Sequence, residues 1–325
     1  MRIMCRIYGG FMKSKLLIGT ALISLIFFMS CAHPPRVPPA GEVPVPALPP
    51  VEMVRVQGGT FEFGSGPLAN MEPVSTVTLT GFYIGKFLIT QTQFHAVMGR
   101  NPSKFTTANG FSPAPGETEG NRPVESVNWY DAIVFSNRLS IMSGLTPAYE
   151  IISVINPGVW TANPDEWGPV PSRRDSRWDN VRIVPGSTGY RLPTEAQWEF
   201  AAKGGIDSRN FAFAGSNNPN EVAWHAGNRW DGQRGGDMIR TVGLLQANEL
   251  GLYDMSGLVW EHVWDWFGPY TAEPRTDPLG LPTGSDRVIR GGSWANPPVS
   301  AATIARHFLI PSYRWDFFGF RVVRP

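Results

Sequence analysis

The chain has 325 residues, 17% of them charged and 12% aromatic, with 35 Gly and 30 Pro; this suits a loop-rich fold, as one large domain or two small ones, better than a helical bundle or a disordered chain. Formal net charge is +1, but residues 1–30 hold Arg2, Arg6, Lys13 and Lys15 and no acid, so the remainder carries 24 basic against 27 acidic residues, a net of −3. The lack of a basic run or stripe argues against nucleic acid as a partner, and with Cys5 and Cys31 as the only cysteines the body has no disulfide, zinc site or catalytic thiol.

The N-terminus reads as an export signal over residues 1–30. Met12-Lys13-Ser14-Lys15 is a short basic region, which makes Met12 the more natural start. Leu16 to Met29 is an apolar run too short for a comfortable membrane span. It ends Phe28-Met29-Ser30-Cys31, which resembles a bacterial lipobox and implies cleavage before Cys31 and lipidation of its thiol. The alternative is a plain secretory signal with an incidental cysteine. Residues 31–50 are Pro-rich and favour extended, core-free chain, a stiff tether lifting a domain from 51 to 325 off a membrane.

In the body, Glu52 to Val56 and Thr60 to Phe63 alternate around Gly58-Gly59, predicting a hairpin. Val74 to Leu79 alternates again. Thr90 is a natural N-cap for a helix over Gln91 to Met98, ended by Gly99. Asn128 to Asp131 predicts a second helix opening there and running through Met142, closed by Gly144. Thr194 with Gln197 is a capping box for a third, Glu195 to Lys203, ended by Gly204-Gly205. Residues 146–187 show no period and read as a long insertion.

Between Asn248 and Trp266, Asp254 and Glu261 bracket a glycine turn with the carbonyls of Gly257 and Val259 between them. Two carboxylates with loop carbonyls are the oxygen set that calcium prefers. The other reading is that Asp254 caps the turn and Glu261 pairs with a nearby base. Near the C-terminus, Arg290-Gly291-Gly292-Ser293-Trp294 and Gly319-Phe320-Arg321 read as framework. The segment between them is broken by Pro297, Pro298 and Pro311, yet it is rich in large apolar side chains. An aromatic-rich loop held between rigid anchors predicts a binding face; the alternative is a plug in the core of a β-rich domain.

Together Gly58-Gly59-Thr60-Phe61, Arg122-Pro123-Val124, Tyr190 to Glu195 with Trp198-Glu199, Gly251 to Glu261, Arg290 to Trp294 and Gly319 to Arg321 resemble the formylglycine-generating enzyme, or sulfatase-modifying factor, family. The resemblance implies an α+β variant of the C-type lectin fold: short twisted antiparallel strands, few short helices, much irregular loop. It also implies a structural calcium held by Asp254, Gly257, Val259 and Glu261. The chain departs from the pattern at Leu258, usually Asn, and at His262, usually Trp. The family's oxidase carries two copper-holding cysteines after Gly-Gly-Ser-aromatic. Ala295 to Phe318 has none, and the five histidines show no paired metal spacing. No catalytic residue is therefore assigned, and an enzyme of the sulfatase-modifying type is the alternative to a binding module.

From Ala295 to Phe318 there is also no Lys, Glu, Gln or Met, and every residue but Trp315 can be reached by changing the adenines of an Asn codon. That composition resembles the variable region of retroelement-diversified surface lipoproteins of the treponemal variable-protein type. By that resemblance the exposed ligand-binding positions fall among Ala295, Pro297, Pro298, Val299, Ser300, Thr303, His307, Phe308, Leu309, Ile310, Tyr313, Trp315, Asp316, Phe317 and Phe318. Asn296, Ala301, Ala305, Arg306, Pro311 and Arg314 read as framework. The implied protein is a monomer, lipid-anchored on the cell envelope, that takes an extracellular protein or small-molecule ligand.

Overall fold

The computed structural model describes residues 49–68, 70–229 and 239–325. The export signal, Cys31 and the tether up to residue 48 lie outside the described residues. Short strands, short helices and long loops make an α+β fold.

Strand β1 (Met53–Val56) does not hairpin onto β2 (Gly59–Ser65). It pairs with β4 (Phe82–Gly85), while β2 pairs with β3 (Asn70–Leu79). Residues 53–65 therefore run as one bent strand opposite 70–85, and the reversal falls between Ser65 and Asn70. Gly58 is the bend rather than the turn: a Cβ there would stand 2.6 Å from Leu79 O.

The capped helices form where the sequence places them. Helix α1 (Gln91–Met98) starts on a reciprocal Thr90–Gln93 box and stops at Gly99, whose φ is 71°. Helix α2 (Trp129–Met142) starts on the Asn128–Asp131 box. Its residues from Trp129 to Asn137 are all buried, so it is a core helix rather than an amphipathic one. The 146–187 stretch is built, not loose. Strand β5 (Tyr149–Ile152) pairs with β6 (Trp160–Thr161) and β7 (Arg182–Ile183), and α3 (Ser176–Asp179) is capped by Asp175. Trp167 and Trp178, edge to face at 5.8 Å, bury this stretch against Trp129 and Tyr130 of α2. The stretch lacks a period because two indoles, not a repeated face, do the packing.

Helix α4 (Glu195–Ala202) starts on the Thr194–Gln197 box, with Lys203 as its C-cap, and α5 (Pro219–Val222) follows. The remaining strands are β8 (Ala223–Trp224), β9 (Ser256–Gly257), β10 (Trp260–Trp266), β11 (Arg275–Thr276), β12 (Arg287–Arg290), β13 (Arg306–Leu309), β14 (Phe318–Gly319) and β15 (Val323–Arg324). Not all pairing is antiparallel as expected: β8 with β9, β3 with β11 and β10 with β14 are parallel, over two residues each. The sheet that carries the C-terminal segment has the order β13-β12-β10-β14.

Buried ion pairs tie this sheet to the helices. On α4, Glu199 accepts from Arg290 Nη2 at 2.5 Å, Lys203 Nζ at 2.6 Å and Gly64 N at 2.7 Å. One turn earlier Glu195 takes Arg306 through two bonds of 2.8 Å. Glu199→Ala would strand the fully buried Arg290 charge, with an expected loss of about 3–5 kcal/mol in urea unfolding. Glu52→Ala, which breaks the exposed pair with Lys86, should cost less than about 1 kcal/mol. Equal losses would refute this ranking.

Candidate functional site

The segment from Ala295 to Phe318 leaves the sheet after β12, returns as edge strand β13, and crosses to the opposite edge as β14. Its exit depends on Gly292, with φ 73°, where a Cβ would meet Ser300 O at 2.7 Å. Asn296 Oδ1 then accepts from Trp260 Nε1 at 2.8 Å, and Ala301 O accepts from Ser256 Oγ at 2.7 Å.

The return loop is fastened mostly through its backbone. Trp129 N donates to Pro311 O at 3.0 Å, and Ser126 N to Trp315 O at 3.0 Å. The side chain of Asn128, which caps α2, also donates to Ser312 O at 3.2 Å. Arg314 reaches Asp131 Oδ2 at 2.9 Å. With the carbonyls held inward, Tyr313 and Trp315 project outward, 41% and 51% exposed, their rings nearly parallel at 6.1 Å. Val299 is 62% exposed and Ile310 46%.

The expected ligand positions divide by burial. Pro297, Val299, His307, Phe308, Ile310, Tyr313 and Trp315 are exposed, and Ala295, Pro298, Ser300, Leu309 and Phe317 are partly so. Thr303, Asp316 and Phe318 are buried, against expectation. Thr303 is turned inward because its N–H donates to Ala212 O and its carbonyl takes Arg290 Nη2. Asp316 pairs with Lys104, and its carbonyl accepts from Trp294 Nε1. Phe318 lies beside Trp260 in the parallel ladder and packs with it and Ile289.

Two exposed neighbours on β13, His307 and Phe308, stack their rings at 5.1 Å. His307 lies over Trp260 at 6.0 Å, on the face that carries Ile289, Leu309 and Phe317. Phe308 points to the other face and packs on Phe267 at 4.6 Å. The aromatic face is therefore His307, Leu309, Tyr313, Trp315 and Phe317 over a floor of Trp260, Ile289 and Phe318, with Phe308 joined to its margin through His307.

Of the second reading, Glu261 does pair with a base, whereas Asp254 accepts from outside the glycine turn and does not cap it. Asp254, at φ 56°, accepts from Gly243 N at 2.7 Å. Burial pushes it up to about 6. Glu261 Oε2 accepts from Arg321 Nε at 2.7 Å, and both side chains are fully buried. Arg321 is itself bound to Gly85 O and Tyr253 O. The cation facing Glu261 is thus a guanidinium fixed in place. Gly257 is held in the ladder with Trp224, and Val259 packs with Leu258 and Trp294. Asp254 Oδ1 and Glu261 Oε1 lack hydrogen-bond partners, and so does Trp198 Nε1. The Arg321 charge, which already holds Glu261 Oε2, works against a calcium ion at this carboxylate. EDTA should leave the thermal midpoint unchanged; a calcium-dependent rise of several degrees would reinstate the metal.

Sequence reasoning missed Glu125, fully buried beneath the loop. Its carboxylate accepts from Phe105 N at 2.9 Å and Ser126 Oγ at 2.7 Å. Burial raises it from 4.5 to about 7, with Asp316 adding repulsion. Between those values the folded chain holds a proton that the unfolded chain has lost, so stability falls as pH rises through that window. Thermal midpoints of Glu125→Gln should fall less steeply between pH 5 and 7 than those of the unsubstituted chain. Identical slopes would refute the titration.

The profile of the Sulfatase-modifying factor enzyme 1-like domain matches residues 41–325. Chaperone protein LppX of Paenibacillus barcinonensis is 39% identical, over 75% of this chain and 79% of its own. A formylglycine-generating enzyme of Streptomyces coelicolor is 30% identical, over 79% and 84%. Among solved structures, Treponema denticola variable protein 1 is 36% identical with a TM-score of 0.72, covering 84% of this chain and 95% of that one.

Proposed function

The chain belongs to the sulfatase-modifying factor enzyme 1-like family, and we propose that it uses the family's scaffold as a surface-displayed binding module, without catalysis. The observation that carries this reading is the aromatic face: outward rings and aliphatics on a backbone whose carbonyls are fixed by Ser126, Asn128 and Trp129. Rigid aromatics supply contact area at low entropic cost. Chemistry of the family's oxidative kind needs thiolates to hold copper, and residues 51–325 contain no cysteine.

An extracellular protein partner suits the face better than a small molecule. The rings lie on an open surface, while the larger concavities are lined by other segments. Cys31 would carry the lipid anchor, and the Pro-rich tether would hold the face away from the envelope. Exchange of the exposed positions by a retroelement would leave the fold intact, because the carbonyls and the arginines Arg290, Arg306 and Arg314 do the anchoring.

Peptides selected from a displayed library on the purified domain should lose at least about 2 kcal/mol of affinity for a Tyr313→Ser, Trp315→Ser variant. The variant itself should lose under about 1 kcal/mol of stability. Peptides that bind both proteins equally would place recognition elsewhere. Incubation with copper and a cysteine-bearing sulfatase peptide should yield no formylglycine; its formation would restore the enzyme. Absence of a near-duplicate of the coding segment and of a reverse transcriptase in the genomic flank would remove diversification.

A further inference from the structure

A second site lies away from the aromatic face, in a groove between α3 with β7 and the loop 279–284. Its inner cavity, about 500 Å³, is lined by Asp179, Asn180, Trp264, Trp266, Leu281 and Arg287 among others. That volume is in the range of small-ligand pockets. Leu279 and Leu281, 53% and 40% exposed, form an apolar rim. Arg174 braces the mouth, donating from Nε to Asp179 Oδ2 and from Nη2 to Gly284 O, each at 2.7 Å.

Arg287 is the unexplained group. It is 1% exposed, yet no carboxylate among the described residues pairs with it. Its guanidinium is sandwiched between indoles, 3.4 Å from the Trp266 ring centre and 3.8 Å from that of Trp129. Nη1 donates to Trp264 O at 2.6 Å, and Nε donates to nothing. The nearby carboxylates Asp179 and Asp265 favour the Arg287 charge only through space and make their hydrogen bonds elsewhere. Asp179 takes Tyr130 Oη and Arg174 Nε. Asp265 accepts from Glu195 N, and burial raises it to about 7. Burial lowers Arg287 to about 9, which leaves it charged at neutral pH. A buried charge without a partner is costly, and removing it from water is compensated only by an opposite charge or a full set of acceptors.

Both faces of this guanidinium are covered by rings, so only its edge can take a ligand, and a planar carboxylate matches that edge. We propose that the groove binds a small carboxylate with a flat or apolar body, its charge on the Arg287 edge and its body against Trp264, Trp266 and Leu281. Phosphate fits less well, since its tetrahedral oxygens do not lie in the plane that the two indoles leave open.

The probes are benzoate and its neutral isostere benzamide, titrated against the domain by calorimetry and tryptophan fluorescence. Benzoate should bind saturably and at least about tenfold more tightly than benzamide. Asn180→Trp, on the exposed rim, should abolish benzoate binding without touching Arg287. Arg287→Gln, where it folds, should remove the preference for benzoate. Equal affinity for the two probes, no saturable binding of benzoate, or unchanged binding in Asn180→Trp would each overturn the site. None of these outcomes depends on the aromatic face, whose own test uses Tyr313 and Trp315.

Discussion

Two carboxylates one helical turn apart on α4 hold the strands from which the Ala295–Phe318 segment departs and to which it first returns. Glu199 takes Arg290, at the end of β12 where the segment departs, and Glu195 takes Arg306, at the start of β13 where it returns. Like charges so close on a buried helix face would repel, and the two guanidiniums with Lys203 supply the compensation. Asp265, which accepts from Glu195 N, is raised to about 7 mainly by burial and next by the Glu195 charge. Each element therefore depends on the other: removing one partner leaves another charge buried and unpaired.

That arrangement separates the part that holds the segment from the part that faces out. Along the segment several of the fastening bonds go to backbone carbonyls, at Ala301, Pro311, Ser312 and Trp315. A carbonyl bond survives a change of side chain at the same residue. Tyr313 and Trp315 can therefore be exchanged at small cost to the fold, whereas Asn296 and Arg314, whose side chains make the bonds, cannot. The same logic accounts for Thr303, Asp316 and Phe318, whose placement is set by contacts beneath the loop.

Much of this was legible in local chemistry. Capping boxes at Thr90, Asn128 and Thr194 mark helix starts because both partners lie within four residues. Gly58-Gly59 misled because a bend and a turn demand the same residue; only the partner strand tells them apart, and it lies some twenty residues on. The pairing of Glu261 with Arg321 spans 60 residues and leaves no mark on either neighbourhood. Burial of Glu125 was hidden for the same reason: its environment comes from Phe105, Lys104 and Asp316, which are remote or unremarkable in sequence. Positions fixed by short-range bonds could be read, and those fixed by long-range burial could not.

Holding a metal through thiols and offering a ring-bearing contact face make different demands on the surroundings of a segment. A metal-holding cysteine pair needs side chains locked to a fraction of an ångström, and so tolerates little change nearby. A contact face needs only a fixed backbone and outward side chains of adequate area. The carbonyl-fastened loop meets the second demand and gives no support to the first, since the bonds from Ser126, Asn128 and Trp129 constrain main chain alone. Arg287 makes the contrast within the same sheet. It lies two residues before Ile289 on β12, yet its side chain is clamped by Trp129, Trp266 and the Trp264 carbonyl. Specificity there would come from a locked side chain, and on the aromatic face from a locked backbone.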